Sequence, residues 1–185
     1  HVYQIEEISE DVDVEIELLE LETIIPAAVY TAEMDDAIIA VDVPDGAFEE
    51  EVELKAVKID GETELKELTD QANDTLKENQ SIAALVAYDI TFISLESGEE
   101  VEPLKPVAVS MSFKQAIVSG EEAEEAKGIS VVHLPDSAQA ETVATVENVE
   151  TTEISFQADS FSKYMLALIM MDRVSVGGTN YPSIK

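Results

Sequence analysis

The chain has 185 residues, enough for one domain of ordinary size with flanking pieces, and 45% of them are hydrophobic, so a core can form and wholesale disorder is excluded. Forty-one Asp and Glu stand against 10 Lys and Arg, a net charge of −31. A field of that sign repels nucleic-acid phosphates and anionic lipid headgroups, which excludes both as partners, and it favours partners with basic patches or bound cations. The one Arg among nine Lys, the excess of Glu over Asp and the many Ile point to an acidic exported protein rather than a halophile's solvation shell.

There is no cysteine, so the core must hold without disulfides. The longest apolar run, Tyr164 to Met171, is far shorter than the roughly 20 residues that a membrane-spanning helix needs.

In chain order, residues 11–21 alternate strictly, with Val12, Val14, Ile16 and Leu18 on one side and Asp11, Asp13, Glu15 and Glu17 on the other. This is a strand pattern. Four carboxylates on one face suggest calcium, but a calcium site draws on turns with Gly and Asn or Asp in loop spacing, and none is present. A solvated face, or an edge guarded by charge, is the simpler expectation. Residues 1–27 therefore read as an acidic strand or linker.

Ala28–Tyr30 and Ala37–Val43 are apolar segments joined near Asp35-Asp36, a hairpin signal. Pro44-Asp45-Gly46 marks a turn, in which proline presets one dihedral and glycine takes a positive one. Val52–Val57 resumes the alternation. Over residues 62–80 the period changes: Leu65, Leu68, Ala72 and Leu76 recur at three and four, which predicts a single amphipathic helix.

Strands return over Ala84–Ile93, Val107–Phe113, Ile129–Leu134, Glu141–Val146, Thr152–Gln157 and Lys163–Met171, with an acidic loop over Gly120–Gly128. Short strands separated by turn signals at intervals of roughly 8–12 residues predict a mainly β fold, an antiparallel β-sandwich, over residues 28–172.

Five blocks in this order resemble a module of large clostridial, Gram-positive surface proteins. They are Val43-Pro44-Asp45-Gly46-Ala47-Phe48, Tyr88-Asp89-Ile90-Thr91-Phe92, Gly98 to Pro103 with Pro106-Val107, Val131-Val132-His133-Leu134, and Ile154-Ser155-Phe156 with Asp159 to Tyr164. The order is also distantly similar to the ZU-type domain of ankyrins, netrin receptors and zonula occludens proteins, a β-sandwich used in protein contacts. Some ZU-type domains cut their own backbone at His-Phe-Ser. The matching stretch here is Ser160-Phe161-Ser162, with the histidine replaced. His133 belongs to another strand and could in principle approach, yet a lone histidine on a strand is more often structural. A serine without an adjacent base is a poor nucleophile, so an intact chain is expected. Residues 173–185, with Gly177-Gly178, resemble the start of a following module, or form a C-terminal tail.

No constellation for catalysis stands out. There are two histidines, His1 and His133, and no nucleophile-elbow glycine pattern or glycine-rich phosphate cradle is found. Catalytic, cofactor and metal residues are accordingly read as none. Lys55, Lys58 and Lys105 lie in or beside strands, where an isopeptide crosslink is conceivable and edge protection simpler.

The expectation is a non-catalytic module, structural or protein-binding, of an extracellular or wall-attached multidomain bacterial protein, with neighbouring domains, host proteins or cell-wall proteins as partners. Its alternatives are an adhesin for immunoglobulin or a mucosal protein, and an accessory domain of a carbohydrate-active enzyme.

Overall fold

The computed structural model describes residues 24–118, 121–171, 173–176 and 179–182. The acidic strand pattern at residues 11–21, with its four carboxylates, lies outside them. The described chain is mainly β. A four-stranded antiparallel sheet contains β1 (Ala28–Glu33), β2 (Ala37–Val43), β6 (Val107–Phe113) and β9 (Glu153–Ala158), in the order β1-β2-β6-β9. A six-stranded sheet contains β3 (Val52–Ile59), β4 (Gln80–Ser94), β10 (Lys163–Met171), β7 (Ala126–Leu134) and β8 (Glu141–Val146) in that order. The short β5 (Glu100–Val101) extends β4 on the side where β10 begins.

The two sheets stack as the predicted sandwich. Alternation decides which side chains meet between them. Ile39 and Val41 of β2, with Val109 and Met111 of β6, face Ile90 and Phe92 of β4 and Leu166 and Leu168 of β10. At the open edges β1 lies beside β3, and β8 beside β9.

The outer face of the six-stranded sheet is buried as well. Helix α1 (Glu62–Asn73) lays Leu68 and Ala72 on Ala87, Val132, Met165, Ala167 and Ile169. The residues between them on the same strands point into the sandwich. β10 is therefore buried on both faces, which is why its sequence is a continuous apolar run rather than an alternation.

Two bulges adjust the faces. Leu168 pairs with Ala84 but Ile169 with Ile82, leaving Ala83 as the extra, exposed residue and turning Ile82 toward the helix side. Ile169 pairs with Gly128 but Met170 with Ala126, which leaves Lys127 as the extra residue.

The helix is shorter than the predicted 62–80. It stops at Asn73, where Asn, Asp and Thr in succession compete for backbone hydrogen bonds. The Thr75 hydroxyl donates to the Ala72 carbonyl, and the following turns reach Asn79, whose φ is 68°. Leu76, the last residue of the apolar stripe, still packs beneath the helix from this turn. A second helix, α2 (Glu121–Glu125), stands where an acidic loop was expected. β11 (Arg173–Val176) and β12 (Thr179–Pro182) pair with one another in a separate two-stranded sheet.

Gly128 carries a steric constraint. Its φ is 155°, and a Cβ there would come within 2.7 Å of the Val146 carbonyl oxygen on β8. Gly128→Ala should therefore destabilise the fold by more than about 1 kcal/mol in urea unfolding. A variant as stable as the parent chain would contradict the close approach of β7 and β8.

Candidate functional site

One end of the sandwich gathers the polar groups that the strands otherwise exclude. β10 and β7 pair so that Tyr164 lies opposite His133, and β7 and β8 pair so that His133 lies opposite Glu141. The last pairing depends on a bulge between Val131 and Val132, which leaves Val143 as the extra residue of β8. The imidazole stacks on the Tyr164 ring, with centroids 4.6 Å apart and planes 15° from parallel. Only 3% of His133 is exposed.

Both ring nitrogens have partners. Nδ1 is 3.4 Å from Glu141 Oε1, and Nε2 is 3.0 Å from Ser162 Oγ. A carboxylate only accepts, so the proton on the Glu141 side belongs to Nδ1, and Nε2 is left to accept from the serine hydroxyl. That hydroxyl also lies 3.2 Å from the Leu134 carbonyl oxygen, its alternative acceptor.

A serine just before β10, a histidine of β7 and a carboxylate of β8 thus stand in hydrogen-bonding order. The approach of His133 to Ser162, the less favoured of the two expectations for this histidine, is what the strands produce. His133, 29 residues away in sequence, supplies in space what Ser160 does not supply in sequence. Glu141 was not singled out, because only the strand order places it opposite His133.

The set borders a cleft of about 450 Å3 lined by Thr91, Glu102, Asp136, Phe161 and Ser162 among others. Glu102 Oε2 accepts a 2.8 Å hydrogen bond from the Phe161 N–H. Burial pushes the Glu102 carboxyl above its ordinary range, the Phe161 N–H works against this, and the charge of Glu100 adds to it. Phe161 itself is buried against Phe92 and Tyr164. The Tyr164 hydroxyl donates to the Ser160 carbonyl at 2.6 Å, and the Ile90 N–H donates to the Ser162 carbonyl at 2.9 Å. The peptide units flanking Phe161–Ser162 are thereby held on both sides.

The lysines have ordinary partners. Lys55 pairs with Glu53 of its own strand at 2.7 Å, and Lys105 donates to the Asp45 carbonyl at 2.5 Å. Lys58 pairs with Asp36 at 2.5 Å. Burial acts to raise the Asp36 carboxyl, but the hydrogen bond and charge of Lys58 and the Tyr88 hydroxyl outweigh it and hold the group below its ordinary value. An ionised pair is the opposite of what amide condensation requires, which is a neutral amine and a protonated acid. Among the described residues no group of three or more His, Cys, Asp or Glu could hold a metal ion.

No family model matches the chain, and no curated protein or solved structure does either.

Glu102 offers a direct pH test. Its folded-state carboxyl is raised, so its contribution to stability is fully present below the unfolded value and is lost as the pH rises through the folded one. Glu102→Gln keeps an acceptor for Phe161 and removes the charge. The variant should melt above the parent chain at neutral pH, with the difference closing as the pH falls below the carboxylate range. A constant difference across the whole pH range would show that the charge is not the cause.

Proposed function

We propose that the chain is a non-catalytic module, structural or protein-binding, of an exported multidomain bacterial protein held at the cell surface or released from it. The observation that carries this reading is the outer face of the four-stranded sheet. Register places Val29, Asp42, Ala108 and Gln157 in one row, and Thr31, Ala40, Ser110 and Ser155 in the next. Small side chains leave a shallow depression of about 420 Å3, beside which Val29 is 64% and Ile38 40% exposed. In a chain of net charge −31, these two rows carry one carboxylate, Asp42, with Glu33 and Glu153 at the ends of the row of Ile38. Such a face suits contact with another protein surface, such as a neighbouring domain or a host or cell-wall protein. An adhesin for immunoglobulin or a mucosal protein would use the same face. An accessory carbohydrate module normally offers exposed aromatic rings; the one aromatic lining this depression, Phe156, is 7% exposed and packs into the core.

The arrangement of Ser162, His133 and Glu141 favours a second reading, in which Ser162 Oγ attacks the Phe161 carbonyl. In that reading the Phe161–Ser162 amide bond breaks as the ester forms, the Ser162 amine takes up the proton, and water then hydrolyses the ester to divide the chain. The clamps on the flanking peptide units weigh against it. So does the Leu134 carbonyl, which competes with His133 for the serine proton.

Intact mass, ester turnover and binding to immobilised immunoglobulin and mucin together test the proposal. We expect one intact chain and no turnover of activated esters. Saturable binding abolished by Ser110→Arg would specify the protein-binding form, and no binding the spacer form. Two fragments dividing before Ser162, or ester turnover lost in Ser162→Ala, would overturn the non-catalytic reading.

A further inference from the structure

A second cleft lies on the outer face of the six-stranded sheet, where α1 ends and the turn after it passes over β7 and β8. Its volume is about 340 Å3, and it is lined by Lys77, Gln80, Lys127, Ser130, Thr142 and Thr145 around a floor that includes Gly128 and Ile169. The composition of this lining is unusual for the chain. Acids outnumber bases 41 to 10, yet among the described residues no carboxylate lines this cleft, and two lysines do. The clefts described above carry Asp89, Glu100, Glu102 and Asp136 in one case and Asp42 in the other.

Neither lysine is neutralised by an ion pair with a described residue, whereas Lys55, Lys58 and Lys163 each have a carboxylate partner. Lys127 is the extra residue of the bulge between β7 and β10, a device that re-aims a side chain. The hydroxyls of Thr142, Thr145 and Ser130 have no hydrogen-bond partner among the described residues. Ser130 is only 9% exposed, and it opens into this cleft. No buried side-chain oxygen or nitrogen among the described residues lacks a partner, so the Ser130 hydroxyl is open to solvent in the cleft, where a ligand's polar atoms can reach it. Gln80 Oε1 accepts from the Lys77 N–H at 2.9 Å, which fixes the amide at the rim.

We propose that this cleft binds a single acidic sugar residue, a carboxylated monosaccharide at the end of a glycan. Two ammonium groups answer one carboxylate. Hydroxyls that both donate and accept answer the ring hydroxyls. The volume, at the small end of ligand pockets, suits one sugar unit. Among the described residues no aromatic side chain lines the cleft, so they offer a neutral sugar no ring to stack on and charge must carry the recognition. The net charge of −31 repels an extended polyanion from the rest of the surface, which restricts the ligand to a small terminal group. The site is separate from the sheet face on which the module reading rests, so either can stand without the other.

The test is an amide-shift titration of the 15N-labelled chain at about 0.15 M salt, where the screening length is about 8 Å. The probes are glucuronate, glucose, acetate and sulfate. Saturable shifts are expected with glucuronate at residues 75–80, 127–130 and 142–145. Glucose and acetate should each bind about tenfold more weakly or worse, because each lacks one half of the recognised group. The K77Q/K127Q variant should lose affinity for glucuronate about tenfold or more while its remaining spectrum is unchanged, since both lysines are exposed. Sulfate or acetate equal to glucuronate would mean an adventitious ion only. Glucose equal to glucuronate, unsaturable shifts, or a double variant that binds like the parent would each overturn the proposal.

Discussion

The central strand β10 buries both of its faces, and the rest of the architecture answers that demand. Tyr164, Leu166 and Leu168 enter the core between the sheets, while Met165, Ala167 and Ile169 enter a second core under α1. Each fully buried large aliphatic side chain is worth about 1.5–3 kcal/mol, so leaving either face wet would forfeit a large part of a domain's net stability. Two layers are therefore not enough. The four-stranded sheet covers one side of β10, the helix covers the other, and β4 and β7 flank it with the same division of side chains. The bulge at Ala83 keeps this division through the far end of β4, where Ile82 would otherwise turn into the sandwich.

Charge is managed around this core rather than within it. Among the described residues the buried polar and charged set is Ser94, Ser130 and His133. Lys58 ties the edge of β3 to the β1–β2 turn through Asp36, and Lys163 ties the start of β10 to Asp136. The hydrogen bond from Asp136 holds the Lys163 amine above its ordinary value, burial opposes this, and the charges of Asp136, Asp89 and Glu64 reinforce it. Exposed pairs of this kind contribute about 1 kcal/mol or less each, so they orient segments more than they stabilise the fold. The tilt toward acids leaves most of the surface to water and counterions, and makes conspicuous a cleft that, among the described residues, is lined by two lysines and no acid.

The layered architecture was legible because alternation and turn chemistry are local. The hairpin at Asp35-Asp36 and most of the strands fall where their residues place them. The helix was legible in existence and face but not in length, because Leu76 continues the apolar stripe while Asn73-Asp74-Thr75 ends the helix through hydrogen bonding. The short α2 had no periodicity to betray it, with Glu at four of its five positions. The polar set at His133 was legible only as a possible approach of His133 to Ser162, and Glu141 was not legible in it. Ser162, His133 and Glu141 meet only because β10 lies between β4 and β7 and a bulge sets the register of β8, both of which are long-range facts. Lys127 was hidden for the same reason, since nothing local shows that it is the extra residue of a bulge.

If both faces of β10 must be covered, α1 belongs to the same cooperative unit as the sheets. Native-state hydrogen exchange tests this most directly. The account predicts that the amides in the middle of α1 exchange with the same opening free energy as those of β10 and β7, and that Leu68→Ala lowers all three together. Helix amides exchanging at near-coil rates while β10 remains fully protected would contradict it, and would show that the sandwich stands without its third layer.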